Sequence, residues 1–134
     1  MIKIILLPIL ALLVGMSNAQ AGTVVIGHPS LGKLDAETVQ KIYTGKMFEV
    51  GGIHITAINI ESGSLRVDFL KTFLHQSDEK YTAYWAMRRF VGKGVPPREA
   101  SSSAEVIQFV QSTPGAIGYV EESDVIPEVT VIAR

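Results

Sequence analysis

The sequence predicts an α/β domain: one three-layer unit around a mostly parallel sheet of about four strands. Three observations carry this. Short apolar runs alternate with stretches of helical periodicity in the order strand, helix, strand, three helices, strand, strand. Strands separated by helices favour parallel pairing through crossovers, which should be right-handed. The chain has 134 residues, the length of a single domain. It is 47% apolar, 19% charged and free of cysteine, so its stability must come from burial and not from disulfides. The same composition excludes intrinsic disorder and a polybasic nucleic-acid-binding surface. A formal net charge of −1 gives no long-range field to steer a partner.

Residues 1–21 read as a secretory signal, leaving 22–134 as the domain. Lys3 supplies the positive start, and Ile4 to Val14 is an unbroken apolar run except for Pro8. Ala19-Gln20-Ala21 fits the small-residue cleavage pattern. The run is too short to span a bilayer, which takes about 20 apolar residues. Cleavage is expected after Ala21, with Ala19 as the second candidate. Export to a bacterial periplasm fits best, with full secretion as the alternative.

The elements of the domain follow in order. Thr23 to Gly27 is a short apolar run closed by Gly, a buried strand. His28 to Gly32 is turn chemistry. Asp35 can cap a helix over Ala36 to Tyr43, with Val39, Ile42 and Tyr43 on one face and Gly45 as its stop. Gly51-Gly52 turns the chain into a strand over Ile53 to Ile60. Helices follow from Ser64 to about Leu74 and from Asp78 to Phe90, each with its apolar residues at helical spacing. Gly92 to Arg98 must be a loop, because two glycines and two prolines do not fit a helix interior. Ser102 and Glu105 form a capping box for a helix over Ser103 to Gln111, ended by Thr113-Pro114-Gly115. Ala116 to Val120 and Val129 to Ala133 are the closing strands, the first in one sheet with Ile53 to Ile60.

Chemistry concentrates at Glu61-Ser62-Gly63-Ser64-Leu65-Arg66, between a strand and a helix. A helix start leaves backbone N–H groups unpaired and carries partial positive charge, which suits an anion. Gly63 lets the backbone approach a ligand closely, Ser62 and Ser64 add hydroxyls, and Arg66 can present a forked donor to an oxyanion. Ser-Gly-Ser is also ordinary helix-entry chemistry, with Arg66 then a solvated side chain.

Three segments carry a family resemblance. Leu34 to Lys46 resembles a helix segment of the phosphate-binding proteins of ABC transporters. Ile58 to Phe69 resembles their strand followed by G-S-G-T-R-x-x-F. Thr113 to Val120 reads T-P-G-A-I-G-Y-V and matches their closing motif almost letter for letter. Together they cover most of residues 24 to 120, and the chain is similar to the small, single-domain members of that family. The resemblance implies a fold like one lobe of a type II periplasmic binding protein. It also implies capture of phosphate or a related oxyanion at Ser62, Gly63, Ser64 and Arg66, without catalysis. Ser64 stands where the family has Thr, Leu65 is an additional residue before Arg66, and Glu61 replaces the family's first Gly. Expected partners are inorganic phosphate and an ABC transporter permease or another envelope protein. A homodimer could restore a second wall to the site. The alternative is a single-lobe interaction module at the cell envelope that no longer binds anion.

Other features are structural. Tyr81, Tyr84 and Trp85 form a helix face of the kind that packs. Tyr119 in a strand is a core residue. Arg88, Arg89, Lys93 and Arg98 are a solvated basic stretch. His28, His54 and His75 lack metal-ligand spacing, and no nucleophile elbow, Walker loop or dinucleotide fingerprint is present. No metal, cofactor or catalytic residue is therefore expected.

Overall fold

The computed structural model describes residues 22–134. The signal assignment lies outside the described residues. The first strand, β1 (Thr23–Gly27), is buried along its whole length and is followed by a 3-10 turn, Pro29–Leu31. Helix α1 (Ala36–Tyr43) starts where expected, with the Asp35 carboxylate accepting from the Thr38 N–H at 2.7 Å. The stretch read as one strand over Ile53 to Ile60 is divided. Strands β2 (Glu49–Val50) and β3 (Ile53–His54) make a small hairpin around Gly51 and Gly52, both at positive φ. Strand β4 (Thr56–Ile60) then enters the main sheet.

Helix α2 (Ser64–Phe69) widens into a π-helical turn, Leu70–Leu74, whose Leu70, Phe73 and Leu74 are buried. Helix α3 (Asp78–Phe90) is capped by Ser77, which accepts from the Lys80 N–H at 3.2 Å. After the Gly-Pro loop the chain forms a short strand, β5 (Arg98–Ala100), where sequence periodicity indicates only loop. Pro96 and Pro97 hold the backbone extended ahead of it, and the chain enters the sheet at an edge, where missing donors are tolerated. Helix α4 (Ser103–Ser112) is capped by Ser102 through the Glu105 N–H at 3.2 Å. Strands β6 (Ala116–Glu121) and β7 (Thr130–Ala133) close the domain.

The main sheet has five strands in the order β5-β4-β6-β1-β7. Strand β4 runs parallel to both β5 and β6, whereas β1 is antiparallel to β6 and β7, so the sheet is mixed. Its two faces bury separate clusters. Val25, Ile117 and Tyr119 pack with α1, the α2–π segment and α3, while Val24, Ile26 and Ile58 pack with Val106 and Val110 of α4. The period-2 alternation of β1 and β6 thus supplies both cores and gives three layers.

Helices and sheet are tied by polar contacts as well as by burial. Tyr81 Oη and Trp85 Nε1 both donate to the Tyr43 carbonyl at 3.0 Å, and Tyr84 Oη donates to the Thr44 carbonyl at 2.7 Å. The aromatic face of α3 therefore caps the C-terminal end of α1, where carbonyls lack helical partners. Gly45 lies flat against this joint: an added Cβ would stand 2.6 Å from the Trp85 ring. No helix among the described residues is long and apolar enough to cross a membrane.

Candidate functional site

Strand β4 ends at Ile60, and the chain turns through Glu61, Ser62 and Gly63 before α2 begins at Ser64. The Glu61 N–H donates to the Ala100 carbonyl at 2.9 Å, so the end of β5 steadies the start of this turn. Glu61 to Ser64 are exposed. Gly63 occupies the N-cap position with extended backbone, and no side chain caps the helix. An added Cβ at Gly63 would meet only the Glu61 carbonyl oxygen, at 3.9 Å. The helix entrance is thus left uncapped and faces solvent.

Arg66 does not project into solvent. It is 95% buried in the first turn of α2, stacked 5.4 Å from the centre of the Tyr81 ring. Its Nε donates to Asp78 Oδ1 at 2.9 Å, and its Nη1 donates to Glu99 Oε1 at 2.8 Å and to the Ile60 carbonyl at 3.3 Å. Three segments therefore meet on one guanidinium: the end of β4, the first turn of α3 and the middle of β5. Burial pushes its pKa down, but the Glu99 hydrogen bond and the charge and hydrogen bond of Asp78 outweigh that, and the net direction is upward. Nη2 takes part in none of these bonds. The Ser62 hydroxyl donates to the other Asp78 oxygen at 3.1 Å, and Thr82 donates to Oδ1 at 3.3 Å. Ser62 has a single proton, so an oxyanion could take it only in exchange for Asp78. The Ser64 hydroxyl has no such prior partner among the hydrogen bonds of the described residues.

Beside this cluster lies a cavity of about 570 Å³. Ser62, Arg66, Asn59 and Glu99 line its polar part, and Trp85, Phe90, Pro96 and Pro97 its apolar part. Asn59 is itself buried and bonded on both sides: it donates to Tyr81 Oη at 3.0 Å and accepts from Tyr119 Oη at 2.7 Å. Tyr119 Oη also accepts from the Ile60 N–H at 3.1 Å. This chain of hydroxyl and amide groups fixes the end of β4, from which the Ser-Gly-Ser turn departs.

Of the residues singled out from sequence, Ser62 and Arg66 share the cavity, while Gly63 and Ser64 sit at the helix entrance outside its lining. Asp78, Glu99 and Asn59 were not singled out. The only sequence signal for them was generic: an acidic residue in a first helical turn, one after a double proline, and an Asn in an apolar strand. Tyr81, Trp85 and Tyr119 are buried, as their pattern indicates. Arg88 is only partly solvated: it reaches toward the Gly45 carbonyl at 3.4 Å and lies over Tyr84 and Trp85. No group of three or more potential metal-ligating side chains occurs among the described residues.

No family model and no curated protein matches the sequence. Solved structures do. The fold matches an ABC-type phosphate transport receptor from Vibrio cholerae with a TM-score of 0.56 and 17% identity, over 83% of this chain and 45% of that one. It matches a protein from Clostridium perfringens, assigned as a phosphate ABC transporter substrate-binding protein and solved with bound phosphate, with a TM-score of 0.62 and 23% identity, over 83% and 44%. It also matches PstS from Borrelia burgdorferi with a TM-score of 0.61 and 20% identity, over 84% and 46%. The class of fold is therefore that of the substrate-binding proteins of phosphate ABC transporters. This chain spans a little under half the length of each and corresponds to a single lobe.

Proposed function

We propose that this chain is an exported oxyanion-binding protein, with inorganic phosphate as its ligand, serving capture or delivery beside a phosphate ABC transporter. The anion sits at the entrance of α2, held by the free N–H groups of the first turn, the Ser62 and Ser64 hydroxyls and Nη2 of Arg66. The observation that supports this best is the uncapped, exposed helix entrance beside a buried arginine, in a fold shared with a protein solved with phosphate. The two carboxylates on Arg66 more than offset its charge, so binding rests on hydrogen-bond geometry and not on net charge.

Calorimetric titration with phosphate and sulfate tests the reading. Losing one hydrogen bond to a charged group costs about 1.5–3 kcal/mol, roughly 10- to 100-fold in affinity. Ser64→Ala should weaken phosphate binding by that factor, since Ser64 does not exchange another partner. Gly63→Ala should leave the fold intact, because its Cβ would meet only the Glu61 carbonyl oxygen at an ordinary contact of 3.9 Å, yet weaken binding by crowding the N–H groups. Absence of phosphate heat up to millimolar concentration, or no effect of Ser64→Ala, refutes the site. A second reading, an interaction module, draws on Met87, Phe90, Val91 and Val95, all more than half exposed at the end of α3 and in the loop after it. Capture of an envelope protein by a chain silent toward phosphate would favour it.

A further inference from the structure

The cavity is much larger than the proposed anion. Phosphate has five heavy atoms and fills the space of about three waters, ~30 Å³ each, against about 570 Å³ here. What phosphate leaves empty is bounded by apolar side chains. Phe90 is 88% exposed on the rim, Pro96 and Pro97 are half-buried beside it, and Trp85 forms part of the floor. A large aromatic side chain held in water beside a cavity is an available contact for an apolar group. Arg89 lines the same cavity and is exposed, adding a second cation on the mouth. At the polar end, Asp78 and Glu99 together outweigh the single charge of Arg66, so a small dianion gains nothing from net charge there. A ligand that also touches the apolar wall gains where phosphate alone does not.

We propose that the preferred ligand is an organic phosphate monoester whose ester group is aromatic or similarly flat and apolar. Its phosphate lies at Ser62 and Nη2 of Arg66, and its ester group lies against Phe90, Pro96 and Pro97. This rests on the oxyanion reading above and deepens it. Partial burial of an aromatic ring corresponds to about tenfold in affinity at the usual value per unit of apolar area.

Trp85 is the chain's single tryptophan and lines the cavity, so its emission reports occupancy directly. Purified protein is titrated with phenyl phosphate, inorganic phosphate and phenol, by Trp85 emission and by calorimetry. Phenyl phosphate should bind at least tenfold more tightly than inorganic phosphate, and phenol should not saturate. In Phe90→Ala, the ratio of the two phosphate affinities should fall toward one. Inorganic phosphate binding as tightly as phenyl phosphate overturns this proposal while leaving the oxyanion site standing. Binding of neither overturns both. Phenol binding as tightly as phenyl phosphate, or an unchanged ratio in Phe90→Ala, overturns the proposed apolar contact.

Discussion

Replacing Arg66 with methionine keeps an unbranched apolar side chain in the first turn of α2 and removes the guanidinium. Three acceptors then lose the arginine as a donor: Asp78 at 2.9 Å, which keeps the Ser62 and Thr82 hydroxyls, Glu99 at 2.8 Å and the Ile60 carbonyl at 3.3 Å. Their contributions differ with exposure. Asp78 is 24% exposed and keeps most of the ~1.5–3 kcal/mol expected of a charged hydrogen bond. Glu99 is 56% exposed, and water replaces its partner at a cost of at most about 1 kcal/mol. The Ile60 carbonyl adds about 1 kcal/mol. The expected loss is about 3–4 kcal/mol, a large part of a domain's typical 5–15 kcal/mol. Urea unfolding measures it: with a slope of about 1–3 kcal/mol per molar, the midpoint should fall by roughly 1–4 M while the slope stays constant. Glu99→Gln alone should cost under about 1 kcal/mol, and adding it to Arg66→Met should change little. A loss below about 0.5 kcal/mol in Arg66→Met would mean the arginine does not hold the three segments together, and the account of the site would fail with it.

Burial is the main cause raising the three core tyrosines. Tyr81 is pushed up to about 12, and Tyr43 and Tyr119 also lie above the ordinary tyrosine value. A raised pKa stabilises the fold fully below the unfolded value near 10 and loses that stabilisation as pH rises through the folded values. Unfolding should therefore set in above about pH 10, with tyrosinate absorbance and loss of circular dichroism appearing together. The caps respond oppositely. Hydrogen bonds from Thr38 hold Asp35 below its usual range, and those from Ser101 do the same for Glu105. Their stabilisation is present above the ordinary carboxylate values and lost as pH falls through the lowered ones, so the deficit of Asp35→Asn in urea unfolding at pH 7 should shrink at about pH 3. Gly118→Ala should destabilise by about 1–3 kcal/mol, because its Cβ would stand 2.5 Å from Val106 and 3.0 Å from Ile58; thermal unfolding should show it.

Local chemistry was enough for much of the architecture. Asp35, Ser102 and Glu105 mark helix starts because capping depends on residues three apart, and α1 and α4 begin where those residues stand. Helical spacing identified the buried faces of α1 and α3, and Val24 to Ile26 alternate between the two cores as a strand must. The Ser-Gly-Ser turn was legible as a helix entrance for the same reason. What depended on partners distant in the chain was not. Nothing local makes Arg98–Ala100 a strand; its hydrogen bonds come from β4, some forty residues earlier. The antiparallel placement of β1 between β6 and β7 depends on where the chain returns after α4, not on β1 itself. Arg66 in a first helical turn reads as solvated or as an anion ligand. Only the approach of Asp78, 12 residues away, and Glu99, 33 residues away, buries it and sets its charge balance. Side-chain periodicity is a property of neighbouring residues, so the sequence by itself determined elements and their buried faces. Pairing, burial of charge and the cavity arise from contacts between distant segments, and those only the tertiary structure decided.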